Sequence, residues 1–371
     1  MHVERLSPAL EPAYDDLLLR HPTSMLFQSL RYRAFLKRIL EPEGLSTPTV
    51  EDHYLVAVEG GRVVGGLPAF VKHNATYGPV LNSLPFVGSN GGALVAGAAD
   101  GAATARALVQ AFNDLADSLD AVSSTLINRP LEPDDALYEA HSGFTALDER
   151  IGQVTALPTA AEGADDATID AAIMAILHQK TRNVVRKAAS SHLTVRSASD
   201  VESLRALFEI HRENLEAIGA AHKPWSVFEA VRSEFRYDDD YRVYIAEKDG
   251  VIVAGLLVFY FNRVAEYFTP ATVAEYRTLQ PQSLLCLHAM REAMKRGCTH
   301  WNWGGTGKSQ TGVYLFKSRW GTTDHPYRYF VRERRPTLRG LSGATLLAEY
   351  PYFFTVPFSV LTPDTTRGAG A

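Results

Sequence analysis

Residues 54–72 read YLVAVEGGRVVGGLPAFVK, and residues 241–261 read YRVYIAEKDGVIVAGLLVFYF. Each is an apolar run, a turn signal and a longer apolar run, the pattern of a β-hairpin. Aligned without gaps, Val58, Gly61, Val63, Val64, Gly66 and Leu67 fall opposite Glu247, Gly250, Ile252, Val253, Gly255 and Leu256, with Glu-Gly-Gly and Lys-Asp-Gly as the turns. The flanks repeat as well. After the first hairpin the spacing predicts a strand, a helix with Ala107, Leu108, Ala111, Phe112, Leu115 and Leu119 on its apolar face, and a strand over Val122–Ile127. After the second it predicts a strand over Ala265–Thr269, a helix over about Ser283–Arg296 and a strand over Thr299–Trp303. Ile169, Ile173, Ile176 and Leu177 keep helical spacing ahead of the second hairpin, and so do Leu204, Leu207, Phe208, His211 and Leu215.

One unit written twice predicts an α/β chain of the α+β type, with two tandem domains that are each a mostly antiparallel central sheet flanked by helices. The length of 371 residues agrees, since it exceeds what one hydrophobic core usually serves. The expected domains are 1–156 and 168–325, with the Ala-, acid- and Gly-rich stretch 157–167 as linker and 326–371 packing back on the first domain. A composition of 46% hydrophobic and 21% charged residues excludes disordered and fibrous classes. A net charge of -5 argues against non-specific binding to a polyanion, so DNA is not an expected partner.

Two cysteines, Cys286 and Cys298, are too few for a disulfide framework and too isolated for a zinc site, so no metal is expected. Met1–Asp16 carries Glu4, Glu11, Asp15 and Asp16 and no apolar core, unlike a secretory signal, which leads to a cytoplasmic expectation. The most apolar stretch, Leu341–Leu361, is interrupted by Glu349, Pro351 and Pro357. It is expected to pack on the protein, with a peripheral membrane contact as the alternative.

Two segments carry candidate chemistry. From Ala171 to Ser199 there is no Asp or Glu, while Lys180, Arg182, Arg186, Lys187 and Arg196 fall within the window. On a helix Arg182 and Arg186 stand one turn apart, where two guanidinium forks could hold a phosphate; a solvated helix face is the competing reading. The second segment, Trp301–Gly321, reads WNWGGTGKSQTGVYLFKSRWG. Gly307, Lys308 and Ser309 imitate the end of a phosphate-binding P-loop, but Asn302 stands where that pattern needs glycine and no helix is expected to follow, so a P-loop nucleotidase is excluded. Lys317 has Phe316 and Trp320 beside it and a glycine loop before it. A desolvated cation there suits the stabilisation of developing negative charge, and a lysine packed only for stability is the alternative. His211, on an apolar stripe, reads as a core histidine.

These stretches are similar to the Fem-type (FemABX-like) branch of the GNAT superfamily, which includes the BioF2-like acetyltransferase domain. The resemblance rests on Lys180–Ala188 (KTRNVVRKA), similar to that branch's basic helix, and on Trp303–Gly321, similar to its strand, glycine loop and Phe-Lys-x-x-x-Gly ending. Weaker matches are Leu26–Lys37, resembling the branch's Gln-containing first helix, Leu84–Gly92, and Phe268–Leu285. The resemblance implies transfer of an acyl or aminoacyl group to an amine of a sugar-, nucleotide- or lipid-linked acceptor in cell-envelope or polysaccharide biosynthesis. It implies a catalytic role for Lys317 beside Phe316, and acceptor-diphosphate contacts at Lys223, before Pro224, and at Lys37. The aspartate that the branch carries after the last strand of the first domain is replaced by Asn128 and Arg129.

No tightly bound cofactor is expected. The co-substrate is acyl-CoA or aminoacyl-tRNA, so charged tRNA stands as an alternative partner beside a small-molecule or lipid-linked acceptor. Arg277–Leu284 (RTLQPQSL) lacks the glycine of a coenzyme A cradle, which weighs against that donor. The expected mechanism is direct attack of the acceptor amine on the donor carbonyl, in a cleft between the domains. Lys317 and the backbone of Gly304, Gly305 and Thr306 hold the oxyanion, and no covalent intermediate forms. The alternative is a degenerate GNAT pair kept as a binding or scaffold module.

Overall fold

The computed structural model describes residues 1–41, 49–85, 90–97, 101–161, 163–307, 310–357 and 361. The chain forms two compact units, one of Met1–Thr23, Phe27–Arg150 and Pro326–Ala371, the other of Ser24–Leu26 and Ile151–His325. Unit 1 opens with β1 (His2–Arg5), α1 (Glu11–Arg20), α2 (Leu30–Leu40), β2 (Val50–Asp52), β3 (Leu55–Glu59), β4 (Arg62–Leu67), β5 (Phe70–Lys72), β6 (Val80–Asn82), β7 (Leu94–Val95), α3 (Gly101–Ser118), β8 (Ser123–Ile127) and α4 (Asp135–His141). Strand β9 (Ala146–Ala156) leads into unit 2, which continues with α5 (Asp166–Ile176), α6 (Gln179–Ala189), β10 (Thr194–Ala198), α7 (Val201–Glu216), α8 (Trp225–Glu234), β11 (Tyr241–Lys248), β12 (Val251–Phe261), β13 (Val264–Thr272), α9 (Pro281–Lys295), β14 (His300–Thr306) and α10 (Thr311–Ser318). Strand β15 (Thr322–Glu333) returns the chain to unit 1, where α11 (Gly343–Glu349) follows.

In unit 2 the strands are ordered β10-β11-β12-β13-β14-β9, antiparallel except for β13 beside β14. In unit 1 they form β1-β3-β4-β7 and β15-β8-β6-β5-β2, antiparallel except for β6 beside β8. The hairpin repeat extends through this whole pattern, residue for residue. His2 pairs with Val58 as Thr194 pairs with Glu247. Asp52 pairs with Phe70 as Tyr241 pairs with Phe259, and Val80 with Ser123 as Val264 with His300. Both turns have two positive φ angles, 55° and 76° at Gly60 and Gly61, 52° and 80° at Asp249 and Gly250, the twist that two-residue hairpins favour. Both hairpins also shift register at the same place, leaving Val64 and Val253 as equivalent bulged residues.

The first copy is the more broken one. Strand β12 runs unbroken, whereas Pro68, with no N–H for a ladder, parts β4 from β5, so the hairpin expected to reach Lys72 is two shorter strands. Helix α3 buries Thr104, Ala105, Leu108, Val109, Phe112 and Ala116. Its apolar face is thus turned from the expected one, with Ala107, Ala111 and Leu115 at its flank, because α3 packs on the β3–β4 hairpin where Thr104 and Leu108 meet Gly65.

In unit 2 helix α9 covers one sheet face, placing Leu285, Ala289, Met290 and Ala293 against Ala246, Ala254, Leu256, Val258 and Ala265; α5 and α6 join it through Ile169, Ile173 and Val185. Burial of each large aliphatic chain there contributes about 1.5–3 kcal/mol. The residues that alternate with these face α7, where Leu207 lies so close to Gly255 that a Cβ would sit 2.9 Å from it.

In the stretch from Leu341, Tyr350, Phe353 and Val356 are buried within unit 1, and no described helix is long and apolar enough to cross a membrane. Residues 358–360 of that stretch lie outside the described residues. The Asn82 amide grips the Phe354 backbone at both ends, Nδ2 donating to the carbonyl at 2.8 Å and Oδ1 accepting from the N–H at 2.7 Å. Asn82→Ala should therefore cost about 1–3 kcal/mol and speed proteolysis after residue 349, because it leaves two buried backbone groups unpaired. Unchanged melting and cleavage would assign the tail's hold to its apolar side chains instead.

Candidate active site

Strands β13 and β14 run parallel only from Val264, Ala265 and Glu266 against His300, Trp301 and Asn302. Beyond that, β13 continues against β12, while β14 pairs irregularly with β9 between Asn302 and Gly305. The irregularity has a local cause. Gly304 turns to φ 73°, and its N–H donates to Asn302 Oδ1 at 3.0 Å, while Asn302 Nδ2 donates to Glu266 Oε2 at 2.7 Å. Both side chains are buried, and Glu266 Oε1 has no hydrogen-bond partner. Burial pushes the Glu266 carboxyl up to about 8, against a smaller opposing effect of the Asn302 hydrogen bond.

Lys317 closes the turn from the other side. It lies on α10 at 7% exposure, with Nζ donating to Thr306 Oγ1 at 2.9 Å and, at 3.5 Å, to the carbonyls of Gly304 and Gly305. Thr306 Oγ1 in turn donates to Gln153 Oε1 on β9, and Gln153 Nε2 to the Tyr314 carbonyl of α10. Trp303, Phe316 and Trp320 wall this network, the first 5.9 Å and 5.5 Å from the other two rings. Trp303 and the Trp320 backbone are tied together through Thr155, whose hydroxyl accepts from one and donates to the other. Nothing anionic pairs with Lys317 among the described residues, and burial lowers its ammonium to about 8.

The ending Phe-Lys-x-x-x-Gly has a steric reason. Gly321 takes φ 70°, and a Cβ there would lie 2.9 Å from the Ile176 carbonyl, while the His178 N–H donates to the Arg319 carbonyl. The two segments that carry the family resemblance are thereby joined backbone to backbone, α6 starting where α10 ends.

The expected cations are not gathered into one patch. Lys180 and Arg186 are exposed on α6, but Arg182 turns inward and donates to the Leu177 carbonyl at 2.7 Å, so it and Arg186 form no shared fork. Lys223, expected with them, is on the opposite face of the sheet: α6 packs on α9, whereas Lys223 follows α7 and holds its ammonium 4.9 Å from the Phe268 ring centroid. Helical spacing cannot reveal which face of a sheet a loop will reach. Burial lowers Lys223 to about 8, and its backbone N–H donates to His211 Nε2, which confirms His211 as a neutral buried histidine, held near 4 mainly by burial.

Lys37 belongs to unit 1, on α2, the second helix there rather than the first; Gln28 precedes α2 in a turn, and Ser29 caps it. Lys37 is ion-paired with Asp52 at 3.1 Å, and Arg33 approaches the same carboxylate at 2.6 Å. Arg129 is buried and spent on Glu132 and the Ala93 carbonyl. Of Leu84–Gly92, residues 86–89 lie outside the described residues, as do Lys308 and Ser309. A helix does follow the glycine loop, contrary to expectation. Gly312 falls in its first turn, where it costs little, and Phe316 supplies its anchoring contact. Exclusion of a P-loop rests instead on Asn302, whose amide is committed to Glu266 and Gly304.

Glu266 and Gln153 were missed by sequence reasoning, although a lone acid inside the apolar run of β13 is a usable signal. Buried cysteines play no visible part, since burial pushes Cys286 up and Cys298 up to about 11. At the start of α9, residues 274–279 form a 3-10 turn and Gln280 adopts the left-handed φ of 61° that glycine would favour. The absence of glycine has therefore not prevented a positive-φ entry into that helix.

Because Glu266 has a higher pKa folded than unfolded, its contribution to stability is full below about 4.5 and is lost as pH rises through about 8. Glu266→Gln, with no proton to lose, should gain on the wild type by up to about 1.4 kcal/mol per pH unit across that window. Parallel melting-temperature curves from pH 5 to 8.5 would contradict it.

Residues 177–318 match the family described as acetyltransferase (GNAT) domain. No curated protein matches the chain by sequence. Among solved structures, FemX is similar over 88% of this chain and 97% of its own, with a TM-score of 0.69 at 15% identity. L-PGS from Bacillus licheniformis is similar over 93% and 96%, with a TM-score of 0.53 at 11% identity. The C-terminal domain of a putative lysylphosphatidylglycerol synthetase from Agrobacterium fabrum is similar over 92% and 97%, with a TM-score of 0.52 at 14% identity. Residues 177–318 thus form a domain that matches the GNAT acetyltransferase family, and the chain as a whole shares the fold of FemX.

Proposed function

We propose that unit 2 transfers an acyl or aminoacyl group from an activated donor to an amine on a sugar-, nucleotide- or lipid-linked acceptor of cell-envelope or polysaccharide biosynthesis. One observation carries the reading: Lys317 is a buried cation with no counter-charge among the described residues, held beside an open glycine turn. Such a cation is costly to bury and gains most when negative charge develops next to it. Its contacts with the Gly304 and Gly305 carbonyls are at the limit of hydrogen bonding, so an oxyanion can replace one of them at little loss.

The acceptor amine attacks the donor carbonyl, a tetrahedral oxyanion forms beside the Lys317 ammonium, and the C–O or C–S bond to the donor breaks as the proton lost by the amine passes to the departing oxygen or sulfur. The GNAT domain implies acyl-CoA as a donor. Aminoacyl transfer gains support from the fold neighbour named as a putative lysylphosphatidylglycerol synthetase. Lys180 and Arg186 on one face, and Lys223 on the other, are two separate positions for phosphates of donor and acceptor, with Gly304, Gly305 and Thr306 lining the reaction centre and Phe316 walling it. Lys37 contributes only if an acceptor displaces Asp52.

Lys317→Ala should lower turnover about a hundredfold or more, with KM changed little and the fold intact. Lys317→Arg should not restore the rate, since a planar fork places its charge elsewhere. In the wild type the rate should fall as pH rises through about 8, where Lys317 loses its proton. Product formation from acetyl-CoA and from aminoacyl-tRNA, tested in parallel, checks all three. Near-normal turnover by Lys317→Ala would remove the residue from the mechanism.

A further inference from the structure

A fold of this kind does not need a buried acid where β13 and β14 part, and the chain itself proves it. By register, Glu266 of unit 2 corresponds to Asn82 of unit 1, and Asn302 to Thr125. In unit 1 neither equivalent holds the other: Asn82 is used on the Phe354 backbone, and Thr125 directs its hydroxyl to the same carbonyl. Unit 2, which contains Lys317, instead carries a buried glutamate, at 3% exposure, bonded to a buried asparagine.

The chemistry of that pair is directional. An asparagine amide can present either its NH2 or its carbonyl to a given neighbour, and here both ends are committed. Glu266 Oε2 can only accept when ionised, and when protonated at Oε1 it still accepts at Oε2, so it draws the NH2 end in either state. The carbonyl end then faces the Gly304 N–H, 3.0 Å away. That bond holds Gly304 at φ 73°, the conformation that turns the Gly304 and Gly305 carbonyls toward Lys317 Nζ. Polarity passes in one sense along four groups, from the Glu266 carboxyl to the Lys317 ammonium.

We propose that Glu266 and Asn302 are positioning residues for Lys317: Glu266 fixes the orientation of the Asn302 amide, which fixes the Gly304 turn against which the ammonium is held. The inference builds on the proposed role of Lys317 but is tested without turnover. The probe is the full chain with lysine carbons labelled at Cε, the Lys317 resonance assigned through Lys317→Arg and followed by NMR over pH 6 to 11. Glu266→Gln and Glu266→Leu are alike in size and both remove the buried acid, so both should fold; they differ in whether an acceptor faces Asn302. Glu266→Gln should leave the Lys317 midpoint close to that of the wild type. Glu266→Leu frees the amide, loosens the turn and admits water, so the midpoint should rise by about one unit or more toward the ordinary lysine value. Asn302→Ala should reproduce the Leu result.

Coincident titration of Glu266→Leu and the wild type would overturn the proposal. So would equal displacement by Glu266→Gln, since that would mark the acid's charge, not its hydrogen bond, as the influence on Lys317. If Lys317 keeps its titration dependence on the pair yet Lys317→Ala retains turnover, the positioning network stands and the oxyanion reading alone fails.

Discussion

Once Asn302 has given its N–H to Glu266 and taken that of Gly304, strand β14 can no longer follow β13. Three residue pairs of parallel ladder are all the two strands share. The separation exposes backbone that a continuing ladder would have consumed, and those groups must find other partners or remain as a place for a ligand. The Lys317 ammonium takes up two of the freed carbonyls and a hydroxyl, Gln153 steadies the hydroxyl, and the lysine is left 7% exposed. Each of these is a response to one amide being held in one orientation.

The two units show how much of this is fold and how much is site. Turns, bulges and register coincide at equivalent residues, so the architecture was copied with its irregularities. What differs is the use made of the strand parting. Unit 1 fills the corresponding positions with an asparagine that binds the chain's own tail, and Ser123 there also donates to the Thr355 carbonyl. Unit 2 holds a carboxyl with one oxygen unsatisfied. An unsatisfied buried oxygen is costly, and at the equivalent position of unit 1 both ends of the Asn82 amide are bonded instead.

The architecture was legible in sequence because Gly61 and Gly250, and Val64 and Val253, answer the local demands of turn and bulge, while Gly66 and Gly255 repeat because each leaves room for a helix side chain, Tyr14 or Leu207. Lys317 was legible for a related reason: glycines and aromatic neighbours mark its surroundings along the chain. Glu266 was hidden because its importance arises from a strand 36 residues away in sequence, through a bond to Asn302. The cationic window misled in grouping rather than in kind. Arg182 and Arg186 do lie one helical turn apart, but a carbonyl at Leu177 claims the first, and no periodicity could have placed Lys223 across the sheet. Helix α10 was missed since a glycine in the first turn and the lack of a side-chain cap erase the usual signals.

The division of the chain has a temporal side. All of unit 2 except Ser24–Leu26 comes from one uninterrupted run, Ile151–His325, whereas unit 1 waits for β15, the antiparallel neighbour of β8. That run is 175 residues long, counting both ends, so at a synthesis rate of roughly 5–20 residues per second the ribosome takes about 10–35 s to deliver it. For that interval β8 is a nascent strand with one edge unfilled, next to a sequence that can present several similar strands of its own. The chain has to be made in an order that leaves its first core open longest, and a holdase that shields bare strand edges during translation would act on unit 1, not on the unit that carries Lys317.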